Sequence, residues 1–140
     1  MWETRGYILE VSDQIMRISC GVDIIEIERI KDSIEDIGEK FLKRVFTDRE
    51  IEYCESRKGQ KFQHYAGRFA AKEAALKAIS SELNNKYSVC WKDFEVINDE
   101  QGKPQINLLN INTDNIESMD ISISHCKLYA TANVVVLYKN

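Results

Sequence analysis

The run Gly67-Arg68-Phe69-Ala70-Ala71-Lys72-Glu73-Ala74-Ala75-Leu76-Lys77-Ala78-Ile79 constrains the fold more than any other part of the chain. Its alanines, lysines, glutamate and leucine are strong helix formers and nothing after Gly67 interrupts them, so the run predicts one continuous helix. At about 100° per residue, Ala71, Ala74 and Ala78 share a narrow face without bulk, against which another element's backbone can approach closely. Lys72, Glu73 and Lys77 occupy a different arc, with Glu73 four residues ahead of Lys77, the favourable order for an ion pair. On an ordinary helix that arc is solvated and the pair contributes about 0.2–0.5 kcal/mol. It acquires chemistry only if a second carboxylate meets Glu73 around a hard cation. Magnesium takes oxygen ligands and keeps phosphates among them, which leaves the lysines to neutralise phosphate oxygens.

A chain of 140 residues suits one domain with a real core. No apolar run is long enough to span a membrane. Residues 1–15 place Glu3, Arg5, Glu10 and Asp13 among their apolar side chains, which breaks the apolar stretch a secretory signal needs. The expectation is a cytoplasmic protein. The four cysteines, Cys20, Cys54, Cys90 and Cys126, form no C-x-x-C pair and read as reduced, mostly buried thiols. A formal charge of −4 argues against nucleic acid or an anionic membrane as partner, so an anionic substrate must meet a local basic cluster.

In chain order, Ile18, Cys20, Val22 and Ile24 alternate with Ser19, Gly21 and Asp23, the period of a half-buried strand, and Asp23 points away from the apolar face. Ile27, Ile30, Ile34 and Ile37 then recur at helical spacing up to Gly38, a C-terminal stop. Thr47-Asp48-Arg49-Glu50 has the capping-box pattern and opens a further helix, which carries Ile51 and Cys54 inward and ends near Gly59. His64, among the aromatics Phe62, Tyr65 and Phe69, reads as a packed or surface histidine, because no neighbour offers metal-ligand spacing. Residues 80–88 are polar and loop-like. Phe94 and Val96 mark a strand, a turn around Gly102 and Pro104 reverses it, and Ile106 and Leu108 lie on the return. Residues 110–115 form an Asn-rich loop, residues 120–124 alternate as strand, and residues 129–138 form a long apolar strand. The order of elements predicts an α+β fold, an antiparallel sheet packed against the central helix.

Gly21-Val22-Asp23-Ile24 with Arg29, Phe41-x-x-Arg44-Val45-Phe46-Thr47-x-x-Glu50, the central Gly67 to Ala74 run, Gly102-Lys103-Pro104 and Ser122-Ile123-Ser124-His125 together resemble the holo-acyl-carrier-protein synthase family, the small bacterial 4′-phosphopantetheinyl transferases. The resemblance extends from Met16 to Tyr138, so residues 16–140 read as one transferase domain and residues 1–15 as an extension without an assigned role. It implies transfer of phosphopantetheine from coenzyme A to a serine of an apo acyl carrier protein, with release of adenosine 3′,5′-bisphosphate. Such chemistry rests on positioning and charge stabilisation.

By the same resemblance Asp23 and Glu73 are the protein ligands of a magnesium ion, Lys72 and Lys77 lie near the phosphates, and Lys77 is a general acid for the departing phosphate. Glu73, a bound water and a carrier carboxylate all remain open as the base. His125 is assigned to coenzyme A contact, and Arg29 to the acidic carrier with Arg44, Lys40 and Lys43 extending the contact. The family implies a homotrimer with active sites between subunits. Two departures from its pattern stand out: residues 1–15, and the absence of any glycine between Gly67 and Gly102. Without backbone amides from a glycine-rich turn, phosphate recognition falls more heavily on Lys72, Lys77 and Lys86. Rival readings are a transferase for a specialised polyketide or peptide carrier, and a non-catalytic module that binds a carrier or coenzyme A.

Overall fold

In a computed structural model that describes residues 16–83 and 88–139, the chain runs β1 (Arg17–Glu26), α1 (Ile27–Ile37), α2 (Glu39–Val45), α3 (Asp48–Ser56), α4 (Lys61–Ile79), β2 (Phe94–Asn98), β3 (Pro104–Leu108), β4 (Ile116–His125) and β5 (Tyr129–Tyr138). The extension before Met16, and Lys86 in the polar loop, lie outside the described residues. α4 begins at Lys61, ahead of the run that announced it, because Phe62, Tyr65 and Phe69 continue its apolar period toward the N-terminus. The predicted capping box is present: Glu50 donates its backbone N–H to Thr47 Oγ1, and Thr47 N–H donates to Glu50 Oε1. Gly38, at φ 75°, both stops α1 and starts α2.

β1, β5 and β4 form one antiparallel sheet in that order, and β2 and β3 form a separate hairpin. α4 crosses the three-stranded sheet diagonally. Near its start Gly67 meets Ile123 of β4, and near its end Ala74 and Ala78 meet Gly21 of β1. A Cβ on Gly21 would sit 2.0 Å from the carbonyl oxygen of Ala74, so only glycine permits that contact. The alanine face thus does what its lack of bulk predicted, and Ala70, Ala71, Ala74, Ala75 and Ala78 are all fully buried. A second core, built from Ile27, Ile30, Val45, Phe46, Cys54 and Tyr65, holds α1, α2 and α3 against the start of α4.

The period expected of β1 is correct, but its faces are reversed. Ser19, Gly21 and Asp23 turn toward α4, whereas Ile18 (71 % exposed), Val22 (59 %) and Ile24 (66 %) face outward. The tight Gly21 contact leaves no depth for isoleucine on the inner face, so the apolar side chains take the other one. Cysteine burial also departs from expectation: Cys54 is buried, with its thiol pushed up to about 12 chiefly by desolvation, while Cys20, Cys90 and Cys126 are exposed. All four are free thiols.

Candidate active site

Antiparallel pairing of β1 with β5 sets Asp23 opposite Ala132, and Thr131 Oγ1 donates to the Asp23 carbonyl at 2.8 Å. This fixes the Asp23 carboxylate beneath the C-terminal half of α4. Lys77 reaches down from the helix, its Nζ donating to Val22 O at 2.9 Å and lying 3.3 Å from Asp23 Oδ1. Glu73, one turn earlier, is half-buried in the same cluster. Its carboxyl is held above the ordinary carboxylate value by desolvation first and by the nearby Asp23 charge second, with Lys77 opposing. The arrangement joins Asp23, Glu73 and Lys77, as the sequence reading expected.

A Glu73 carboxyl whose ionisation is disfavoured by burial and by the neighbouring Asp23 charge fits a site for a divalent cation, which would offset that charge. The described residues contain no group of three or more His, Cys, Asp or Glu able to hold a metal. A protein contribution of two oxygen donors suits magnesium, which retains waters and takes its remaining ligands from phosphates.

Lys72 lies elsewhere. It was expected near phosphates, on an arc shared with Glu73 and Lys77, but it is fully buried on the side of α4 facing α3 and β2. Its ammonium donates to Glu50 Oε1 at 2.6 Å, to Trp91 O at 3.1 Å and to Phe94 O. Burial lowers the ammonium's acid dissociation value, while the Glu50 charge opposes that shift. The 100° step between Lys72 and Glu73 is enough to send one side chain into the core and its neighbour to the site. Glu50 was read only as a helix cap. Its Oε2 also accepts Val96 N–H at 3.0 Å, so one carboxylate joins α3, α4 and β2.

A second constellation was missed by sequence reasoning. A cavity of about 500 Å³ lies between α3 and the β2–β3 hairpin, lined by Arg49, Tyr53, Arg57 and Arg68 together with Asn98, Asp99 and Glu100. The Arg57 and Arg68 guanidinium groups lie 4.7 and 4.0 Å from the Tyr53 ring centroid. Arg68 is only 4 % exposed, yet no carboxylate pairs with it among the described residues. Its Nη2 donates to Asn98 Oδ1 at 3.1 Å, and its Nε has no partner. A buried cation without a counter-charge beside a cavity is the electrostatic form of an anion site. The available signal was the i, i+4 spacing of Arg49 and Tyr53, which places them on one face of α3, with Arg57 just past its end.

His125 ends β4 near this constellation. Its ring centroid is 6.0 Å from that of His64, which in turn meets Tyr53 at 5.5 Å. Arg29 is exposed on α1 and Arg44 is exposed on α2. Both are open to a partner, but they lie on separate helices.

Residues 19–132 match the model of the 4′-phosphopantetheinyl transferase superfamily. The holo-[acyl-carrier-protein] synthase of Ruminiclostridium cellulolyticum is 43 % identical over 126 residues, covering 86 % of this chain and 92 % of that protein. The one from Protochlamydia amoebophila is 46 % identical over 122 residues, covering 86 % and 98 %. Among solved structures, the Helicobacter pylori holo-[acyl-carrier-protein] synthase in complex with coenzyme A superposes with a TM-score of 0.72 at 34 % identity, covering 84 % of this chain and 98 % of that one. A Bacillus anthracis holo-(acyl-carrier-protein) synthase in complex with CoA (3′,5′-ADP) gives 0.71 at 37 % identity, covering 89 % and 99 %. With its diagonal helix over a three-stranded sheet and its motifs in the family's order, the chain belongs to the holo-[acyl-carrier-protein] synthase family of 4′-phosphopantetheinyl transferases and is an enzyme of that kind.

Proposed function

We propose that this enzyme transfers the 4′-phosphopantetheine group of coenzyme A to a serine hydroxyl of an apo acyl carrier protein in the cytoplasm, with magnesium, releasing adenosine 3′,5′-bisphosphate. The observation that carries the reading is the meeting of Asp23, Glu73 and Lys77 at the β1–α4 contact. Asp23 and Glu73 would hold the magnesium ion, which when bound would neutralise pyrophosphate charge. Lys77, on the exposed side of the pair, would meet the departing phosphate and give it a proton. The Arg49, Arg57 and Arg68 cavity supplies the cationic surface for the remaining phosphate of the coenzyme, and His125 belongs with that end of the site. Lys72 is committed to Glu50 and takes no part in phosphate recognition.

Incubation of the protein with coenzyme A, magnesium and a panel of apo carriers, read by intact mass, tests the proposal. The expected product is a carrier heavier by one phosphopantetheine, with loss of the product on chelation of the metal. Coenzyme binding without transfer to any carrier would instead leave a binding module.

The carrier contact is assigned to Arg29 and Arg44. Acidic carriers are drawn to exposed cations by long-range attraction, which acts on association and falls with salt. Arg29→Glu is expected to raise the carrier's KM at least tenfold at low salt with the KM for coenzyme A within twofold, measured by steady-state kinetics in both substrates. Equal damage to both constants would make Arg29 a structural residue.

The outward sheet face supports a homotrimer. Ile18, Val22 and Ile24 of β1 lie in register with Leu137, Asn133 and Thr131 of β5, and Val135 is 44 % exposed beside them. So large an apolar strip on an edge strand is characteristic of a face covered by another subunit. Light scattering should give three chain masses for the wild type and one for Val22→Lys, with turnover falling alongside assembly. A monomeric wild type with full turnover would remove the trimer from the proposal.

A further inference from the structure

His64 was read from sequence as a packed or surface histidine, and the proposed reaction leaves it without a role. Its surroundings are not those of a core residue. The ring is half-buried, edge-on to Tyr53 at 5.5 Å and to His125 at 6.0 Å between centroids. The groups facing it are Tyr53 and Arg57 from α3 and its end, Arg68 from its own helix and His125 from β4. Three of these, Tyr53, Arg57 and Arg68, also line the 500 Å³ cavity. The charged groups that act on His64 are therefore Arg68, His125 and Arg57, and the Arg68 Nε is buried without a partner; Asp99 and Glu100 also line the cavity, beside which His64 stands.

We propose that His64 is a coenzyme-binding residue that takes up a proton as the monoester phosphate of coenzyme A enters the arginine-lined cavity, and then pairs with that phosphate as an imidazolium. The proposal rests on the coenzyme A reading above. Coenzyme A carries one phosphate monoester and one pyrophosphate, and the Asp23, Glu73 and Lys77 cluster accounts for the pyrophosphate. The monoester is the part that becomes a dianion near neutrality, its second dissociation lying near pH ~6. In the free protein His64 is held below the ordinary imidazole value by burial first, then by Arg68, His125 and Arg57, which favours its neutral form. A dianion among those groups offsets the repulsion and favours the charged ring. Affinity and protonation are then linked: the imidazole gains one proton from solvent, and binding tightens as pH falls toward the free value of His64. Tightening stops where the ring is already charged and where the phosphate itself begins to protonate.

Calorimetry of coenzyme A binding to the full chain without magnesium, at pH 7.5 in HEPES and in Tris at matched ionic strength, measures the protons exchanged. The wild type is expected to take up a substantial fraction of one proton with coenzyme A and none with dephospho-coenzyme A. His64→Gln should abolish the uptake, weaken coenzyme A roughly tenfold and flatten the dependence of affinity on pH, whereas His125→Gln should keep an uptake. Arginine pairing alone would strip protons from the phosphate, an effect of opposite sign, so uptake belongs to the protein. Nitrogen chemical shifts of the His64 ring in the wild type, moving from neutral to imidazolium values on adding coenzyme A, give the same answer without a substitution. Tight binding without uptake, uptake that survives His64→Gln, or equal uptake with dephospho-coenzyme A would overturn the role of His64 while leaving the coenzyme site standing. No binding of coenzyme A at all would overturn both.

Discussion

Glu73→Gln is expected to lower turnover by at least ~100-fold and yet to raise the melting temperature at pH 7. The activity loss follows from removing one of the two carboxylates at the β1–α4 contact, on which the proposed metal and pyrophosphate positioning depends. The stability gain follows from linkage. Burial and the Asp23 charge raise the folded-state value of Glu73 above its unfolded one, so between the two values the folded state binds more protons than the unfolded state. Stability therefore falls as pH rises through that window, and once ionised Glu73 is a net liability to the free protein. A neutral amide of the same shape removes the liability. The expected signature is a Tm difference between wild type and Glu73→Gln that is largest near neutrality, shrinks as pH falls toward the unfolded carboxylate value, and narrows on adding magnesium with coenzyme A to the wild type. The same raised value gives the free enzyme an acid limb in kcat/KM, rate falling as Glu73 is protonated. Asp23→Asn should match the activity loss. A Glu73→Gln enzyme with near-normal turnover would remove the carboxylate pair from the mechanism.

The fold was legible wherever the side-chain pattern reports packing, as at the alanine face of α4, the isoleucine spacing of α1, the capping box at Thr47, the alternation in β4 and the long apolar run of β5. It was misleading where periodicity is silent about which face is inside. The alternation of β1 shows two faces, but only the clash-free fit of Gly21 against Ala74 tells that the small residues are the inner ones. The meeting of Asp23, Glu73 and Lys77 was legible because Asp23 and Glu73 sit within compact family motifs and Lys77 follows Glu73 by one helical turn. The arginine cavity was not: its residues come from α3, α4 and β2, and Arg68 was quoted within a motif without its isolation as a buried cation being visible. Lys72 failed for a related reason. Sequence shows a lysine beside a glutamate on a helix; it does not show that a glutamate 22 residues earlier has crossed to meet it.

That crossing has its own consequence for stability. Lys72→Met is expected to destabilise the protein by about 3–5 kcal/mol, lowering Tm by roughly 10 °C or more, because it leaves the Glu50 carboxylate buried without its cation. Methionine fills most of the space of the lysine stem, so the loss is electrostatic rather than a cavity effect. Thr47 N–H and Val96 N–H still donate to Glu50, but two backbone donors do not neutralise a charge in a site closed to water. Adding Glu50→Gln should recover part of the loss, since a neutral amide no longer needs the ammonium, although its single carbonyl oxygen can replace only one of the two carboxylate oxygens that accept from Thr47 N–H and Val96 N–H. Denaturant unfolding of the two single variants and the double variant gives the coupling directly. If Lys72 instead contacted phosphate, Lys72→Met would fold with wild-type stability and show its whole effect in the KM for coenzyme A. Such a result would return Lys72 to the substrate site and leave the Glu50 carboxylate in need of another partner.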